Sequence, residues 1–381
     1  VSSQVEIHVV DSVSDIPAVQ WDALTQGNPF VAHAFVSALH DSQCASAQTG
    51  WQPRYLLLRE DGALTGAMPL YLKTHSRGEY VFDHAWADAF QRHGLRYYPK
   101  LVSAVPFSPV TGPRLLAATH TARVLLARGA IALAQQLEVS SIHVLFSHEA
   151  DLQALTEAGY MLREGVQFHW ENAAYTSFDT FLALMNHDKR KKIRQDRRRV
   201  ADAGVSFRWL RGAEIDAGTL GFFYECYANT YREHWNPPYL SEAFFFQLHA
   251  TMPDAIMLVL AERDGERLAC ALNVIAGDTM YGRYWGTRAF ISGLHFETCY
   301  MQGIEYCIEN QLASFEGGAQ GVHKMSRGLL PTATWSAHWI AEPQFAEAIA
   351  RFLGRETAVM EQHMGELEAH TPFKRAQGLP E

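Results

Sequence analysis

The sequence is short of most features that would assign it quickly. It has no run of about 18 apolar residues, so no membrane-spanning helix is expected. Its five cysteines (Cys44, Cys226, Cys270, Cys299, Cys307) are odd in number and form no Cys-x-x-Cys pair, which argues against a disulfide framework or a zinc ribbon. They read instead as free or buried thiols of a reducing compartment. Eighteen histidines are present, but no His-Glu-x-x-His or comparable ligand spacing, so no metal is expected. There is no Gly-x-Ser-x-Gly elbow and no Cys–His pattern to suggest a covalent nucleophile. The stretch Val1-Ser2-Ser3-Gln4-Val5-Glu6 lacks the basic start and apolar core of a signal peptide, and with the cysteine usage this predicts a cytoplasmic protein. Positive charge is also scarce. Lys and Arg number 32 against 41 Asp and Glu, a formal charge of −9, which does not fit a generic nucleic-acid coater.

What is present is the composition of a soluble, folded chain, 48% hydrophobic and 19% charged. At 381 residues it exceeds what one hydrophobic core usually serves, so two domains are expected. The few cations are concentrated. Lys189-Arg190-Lys191-Lys192-Ile193-Arg194-Gln195-Asp196-Arg197-Arg198-Arg199 holds eight basic residues and one acid, a strip that is either a solvated helix face or a dock for a phosphate-rich ligand.

A second concentration lies near the C-terminus, in Glu316-Gly317-Gly318-Ala319-Gln320-Gly321-Val322-His323-Lys324-Met325-Ser326-Arg327-Gly328. Four glycines allow sharp turns or close approach to a ligand. Between them stand a carboxylate, an amide, an imidazole, an ammonium, a hydroxyl and a guanidinium, enough for acid–base work and for holding a carbonyl or anionic group. The segment is pinned between two apolar-periodic stretches, which favours a site over a free loop tip.

The chain also repeats itself. Arg54 to Leu72 reads strand, Asp61-Gly62 turn, strand, and Ile256 to Ile275 repeats the plan around Asp264-Gly265. A further strand (Met280 to Gly286) and a helix (His295 to Leu312) follow in the second half. A helix (Ala122 to Leu137) and a strand (Ser141 to Phe146) follow in the first. Helical stretches open both halves: Ile16 to Leu24 and Phe30 to Ala47, then Phe178 to Ala203 and Ala217 to Glu233. The order helix, helix, hairpin, strand, helix, strand is that of a GNAT acyltransferase domain. The expected fold is therefore α/β (α+β), with tandem GNAT-like domains, each a mixed, mostly antiparallel sheet flanked by helices. The expected boundaries are 1–168, 169–340, and a C-terminal helix and tail over 341–381.

Three blocks resemble a bacterial family of predicted N-acyltransferases labelled peptidoglycan biosynthesis/recognition, distantly related to the Fem peptidyltransferases. They are Tyr97-Tyr98-Pro99-Lys100-Leu101 with Pro106 to Arg114; His169-Trp170 with the basic strip; and Tyr284-Trp285-Gly286 through Leu294-His295-Phe296-Glu297 to Glu316–Gly328. The resemblance covers essentially the whole chain. It implies transfer of an acyl or aminoacyl group from acyl-CoA or aminoacyl-tRNA to a small-molecule or peptide amine, with tRNA docking on Lys189–Arg199. Members usually carry an acid before the His-Lys pair, where this chain has Val322.

Direct attack by an amine needs a base and an oxyanion donor. The candidates are Glu316, His323 and then Glu297 for the base, with Lys324 and Arg327 as cationic donors. His295, Gln320 and Trp285 complete the substrate wall. Arg288 and Gly293, ahead of the second-half helix, stand where a GNAT domain cradles pyrophosphate, in a degraded form of that motif. Tyr98, Lys100 and Arg114 could frame an acceptor pocket in the first half. A different class of function, a non-catalytic module that recognises a cell-wall peptide or another partner, is the alternative that the degraded turn supports.

Overall fold

Both Asp-Gly turns close hairpins by placing two successive residues at positive φ (Asp61 49° and Gly62 83°; Asp264 53° and Gly265 80°), the backbone that a two-residue connection requires. The first joins Tyr55–Glu60 to Ala63–Met68, and the second joins Ile256–Arg263 to Glu266–Ala276. The computed structural model describes residues 4–233, 235–318 and 321–374. These divide into two compact units that are not sequential. Unit 1 comprises 1–165, 239–248 and 333–362, and unit 2 comprises 166–238, 249–332 and 363–381. The division within the first half thus falls inside the strand Met161–Glu171, and the segment 333–340 groups with the first unit because it pairs there.

Unit 1 has two sheets. One holds Val5–Val10, Tyr55–Glu60, Ala63–Met68 and Leu116–Ala117, all antiparallel. In the other, Ser336–Ile340 pairs with Ser141–Leu145, which runs parallel to Lys100–Ser103; Tyr71–Lys73 and Trp51–Pro53 follow, antiparallel. The second arm of the first repeat, expected as one strand to Leu72, is thus two strands in different sheets. Pro69 lies between them and has no N–H to continue a ladder. The Ala- and Leu-rich helix His120–Gln136, capped by the Thr119 hydroxyl, clusters Leu126, Ala127, Ala130 and Ala134 with Leu56, Leu58, Met68, Leu101 and Ile142.

Unit 2 carries strands in the order Ser206–Arg211, Ile256–Arg263, Glu266–Ala276, Thr279–Thr287, Ser314–Glu316 and the end of Met161–Glu171. Only the pairing of Thr279–Thr287 with Ser314–Glu316 is parallel. The connection between those two strands is a helix from Leu294 to Glu309, interrupted by a π turn at Glu297–Met301. The expected helix over Phe178 to Ala203 is two, Phe178–Leu184 and His187–Asp202, broken at the extended Met185 and Asn186. Phe181, Met257, Met280, Ile304 and Phe315 belong to the main core. Gly286 lets the sheet touch the helix Ala217–Arg232, since a Cβ there would lie 1.9 Å from the Cys226 carbonyl oxygen.

In chain order both units follow one plan, a hairpin and then a strand–helix–parallel-strand crossover; in unit 2 these share one mixed, mostly antiparallel sheet, whereas in unit 1 the hairpin lies in the antiparallel sheet and the crossover in the other. Among the described residues no helix is long and apolar enough to cross a membrane.

Candidate active site

The parallel ladder in unit 2 is very short. Thr279, Met280 and Tyr281 pair with Ser314, Phe315 and Glu316, and there the pairing ends. The first strand continues to Thr287 alongside Glu266–Ala276, with a register shift between Leu272 and Asn273. The other chain leaves the ladder at Gly317, whose N–H donates to the Phe168 carbonyl. A cavity of about 110 Å³ opens where the strands part. Its lining includes Asn273, Arg283, Trp285, His295, Cys299 and Tyr300, with Gly317 at the departing strand. Cys299 and Tyr300 come from the π turn, whose extra residue re-aims side chains relative to a regular helix. Burial holds Cys299 firmly as the thiol. A second cavity, about 440 Å³, shares Arg283, Tyr284 and Trp285 as wall and adds Tyr227, Thr230, Tyr231 and Asn236.

Charge at this place is closely managed. The Arg283 side chain is 1% exposed and its guanidinium donates to Glu316 Oε2 at 3.2 Å. Burial raises the Glu316 pKa above the usual carboxylate value, against the opposing pull of Arg283. Lys324 is buried, and its Nζ donates to the carbonyls of Gly317 (2.6 Å) and Gly318 (2.9 Å). Burial first, then the Arg283 charge, pulls the Lys324 ammonium down to about 8. The His295 ring lies 4.6 Å from Trp285 and 5.7 Å from Tyr300. Burial, followed by His323 and Lys324, brings its pKa down to about 4, so the imidazole is neutral near pH 7. His169 is likewise pulled down to about 4 by burial, Arg283 and Lys324.

The residues expected from sequence have divided fates. His295 and Trp285 line the smaller cavity, Lys324 grips the backbone at its edge, and Glu316 joins through Arg283. His323 is exposed on the turn Val322–Arg327, against Phe296 (5.8 Å) and Tyr300 (6.4 Å). Val322 is 56% exposed at the start of that turn. Glu297 and Arg327 are engaged by the basic helix. Glu297 Oε1 accepts from Arg197 (3.1 Å) and Gln302 (2.8 Å), and Arg327 pairs with Asp196 (3.1 Å) while lying over the Phe296 ring. Arg288 is tied to Glu225 on the surface, and Gly293, at φ +91°, begins the Leu294 helix against the backbone of Asp196. Gln320 lies outside the described residues.

In unit 1, Lys100 is fully buried and donates to Glu79 (2.7 Å) and Asp83 (2.5 Å), and Arg114 donates to the carbonyls of Leu145, Pro113 and Val110. Tyr98 is partly buried, its hydroxyl bonded to Ser76 at 2.7 Å. These three thus serve internal partners within their own unit. Sequence reading missed Arg283, Asn273, Cys299 and Tyr300. The one signal for Arg283 was a cation set inside an otherwise apolar strand and flanked by Gly282 and Gly286. Among the described residues no group of three or more His, Cys, Asp or Glu could hold a metal.

No curated protein sequence matches the chain. Among solved structures, FemX superposes with a TM-score of 0.55 at 14% identity, covering 91% of this chain and all of that one. The L-PGS of Bacillus licheniformis gives a TM-score of 0.54 at 10% identity, covering 91% and 98%. A tandem GNAT protein from the clavulanic acid biosynthesis pathway aligns more loosely, with a TM-score of 0.45 at 13% identity over 89% and 99%. Identities this low speak to the fold and not to the reaction. Over residues 12–375 the sequence matches the FemAB-like family, described as peptidoglycan biosynthesis/recognition, and the chain belongs to that family.

Proposed function

We propose that unit 2 is an N-acyltransferase moving an acyl or aminoacyl group from an activated ester or thioester to an amine by direct attack. The observation that carries this reading is the parting of two parallel strands around a small cavity, with the Lys324 ammonium fixed at its edge. A strand whose ladder ends leaves edge amides to which an extended acyl donor can bond. Two of the three Lys324 donors go to Gly317 and Gly318, so one remains for the oxygen of the attacked carbonyl. The amine nitrogen bonds to the carbonyl carbon while that oxygen takes the negative charge. Collapse then expels the thiolate or alkoxide. The proton released by the amine passes to the departing thiolate or alkoxide, while His295, neutral on the cavity wall, can accept a hydrogen bond from the attacking N–H. No covalent intermediate is required, consistent with Cys299 being held as a thiol.

Acyl-CoA and aminoacyl-tRNA both present such a carbonyl. For the second, Lys189, Lys191 and Arg198 are exposed on the His187–Asp202 helix. Arg194, Arg197, Lys192 and Arg199 already face Asp179, Glu297, Glu305 and Asp196. The test is amide formation on a panel of primary amines, read by mass spectrometry, with each donor in turn. Product from aminoacyl-tRNA that falls steeply with salt, and with charge reversal at Lys189, Lys191 and Arg198, would identify the nucleic-acid donor. Product from acyl-CoA alone would identify the thioester. No amide with either donor, together with no thermal stabilisation by either, would sink the transferase reading in favour of a binding module.

A further inference from the structure

The strand Glu266–Ala276 is apolar and buried along most of its length, yet it carries Asn273 at 2% exposure. An amide in such a place needs partners for both of its ends. Its Nδ2 donates to the Met257 sulfur on the neighbouring strand, at 3.4 Å. A thioether has no proton to give, so this bond fixes which end of the amide is the oxygen. Oδ1 is left toward Gly282, where an added Cβ would lie 3.4 Å from it. Asn273 and Gly282 both line the smaller cavity, and among the described residues nothing donates to Oδ1. The strand register prepares this opening. It passes from Leu272–Tyr284 to Asn273–Gly282 and skips Arg283, a bulge of the kind that re-aims side chains.

We propose that the smaller cavity holds the acyl group being transferred, and that this group is short, uncharged and carries a hydroxyl that donates to Asn273. The inference rests on the transferase reading for its link to the reaction. The carbonyl of the group would sit at Lys324, which grips Gly317 and Gly318 at the cavity edge. Size follows from volume. A cavity of about 150 Å³ takes a benzene ring, so one of about 110 Å³ takes about four or five heavy atoms. Charge follows from the lining. Among the described residues no carboxylate lines the cavity, while Arg283 stands in its wall and Lys324 at its edge. Burial chiefly disfavours a proton on His169 and His295, and the Lys324 charge adds to that for both. An ammonium on the acyl group would meet the same opposition, whereas a hydroxyl supplies the donor that Oδ1 lacks without bringing charge. The smallest acyl groups that qualify are 2-hydroxyacyl groups.

The experiment uses the full chain and at first needs no donor. Binding of methyl lactate, methyl propanoate and alanine methyl ester is compared by ligand-observed NMR at about pH 6, where the alanine ester is an ammonium ion. The three differ only in the hydroxyl, hydrogen or ammonium beside the carbonyl. At least a tenfold preference for the lactate ester is expected, because either rival leaves the buried oxygen without a suitable partner or sets two cations together. Asn273→Leu, of similar shape, should abolish or reverse the preference over propanoate, and a thermal melt shows whether that variant is folded. Equal binding of lactate and propanoate, tightest binding of the alanine ester, no binding of any ester, or a preference unchanged in a folded Asn273→Leu would each overturn the proposal. Transfer of lactyl, propanoyl and alanyl groups is then compared on whichever donor is active. A lactate preference in binding with no transfer from any donor would leave the pocket standing and remove the transferase reading. Transfer of propanoyl as efficient as that of lactyl would keep the transferase and remove Asn273 from its choice of acyl group.

Discussion

Lys324 is where sequence and site meet most directly, and it gives the first two predictions. Its ammonium is held by two carbonyls at the cavity edge and is the donor proposed for the oxyanion. Lys324→Met should lower kcat/KM by about 10²–10³, the usual loss when one such donor is removed, and should cost about 1–3 kcal/mol of stability because two carbonyls lose their donor. Because burial and Arg283 bring its pKa to about 8, it loses its donor proton and charge as pH rises through that value. The pH–rate profile should therefore fall above about pH 8, and in Lys324→Arg the falling limb should move to higher pH. A limb that stays put would dissociate Lys324 from the rate. A third prediction concerns packing. Gly286→Ala would place a carbon against the backbone of Cys226, where no rotamer can relieve the clash. It should cost about 3 kcal/mol or more in urea unfolding.

At the scale of the element, helix ends decide local stability. The helix Ala217–Arg232 supplies Tyr227 and Tyr231 to the larger cavity and begins at Asp216, whose carboxylate accepts from the Thr219 N–H at 2.6 Å. Asp216→Ala should lower stability by about 1 kcal/mol, while Asp216→Asn should nearly preserve it. Chemical denaturation of the three proteins checks this. The Leu294 to Glu309 helix shows a limit of sequence reading at the same scale. Its apolar spacing was legible from Phe296 to Cys307, but the π turn at Glu297–Met301 was not. One extra residue per turn leaves composition unchanged, and only packing against Phe296, His323 and the sheet makes its geometry visible.

For the molecule as a whole, each unit has its own core and its own parallel crossover, and the family match runs through both. Unit 1 also carries a fully internal polar chain. Tyr97 bonds to Asp83 and His143, and the Nδ1 atoms of His143 and His338 face each other at 2.7 Å, both rings buried. Only one of those two nitrogens can hold the shared proton, so the accepting ring is neutral. Burial lowers the pKa of each, to about 3 for His338. The unfolded chain therefore binds more protons than the native one below the ordinary histidine range. Stability should be complete above about pH 6.5 and decline as pH falls toward 3. Replacing His338 with Gln should flatten that decline. Denaturant titrations of both proteins between pH 7 and 4 measure it, and equal slopes would exclude the pair as its source.

The sequence by itself determined the features that are set locally. Asp-Gly pairs permit only a narrow set of turns, so both hairpins were readable, and with them the repeated plan, while three separate blocks of sequence carried the family resemblance. The Gly-rich segment was marked out because reactive side chains there alternate with residues of unrestricted backbone. Tertiary structure alone decided which of those side chains share a site. His295 reaches the cavity wall and Lys324 the backbone at its edge because two parallel strands part there, a distance in space that no spacing in sequence encodes. Arg283 looked like one residue of a strand until its burial beside Glu316 showed it as the wall of both cavities. Glu297 and Arg327 were drawn to the basic helix by charges a hundred or more residues away in the chain. Long-range pairing of charge depends on the completed fold, and for that reason the kit was legible while its assembly was not.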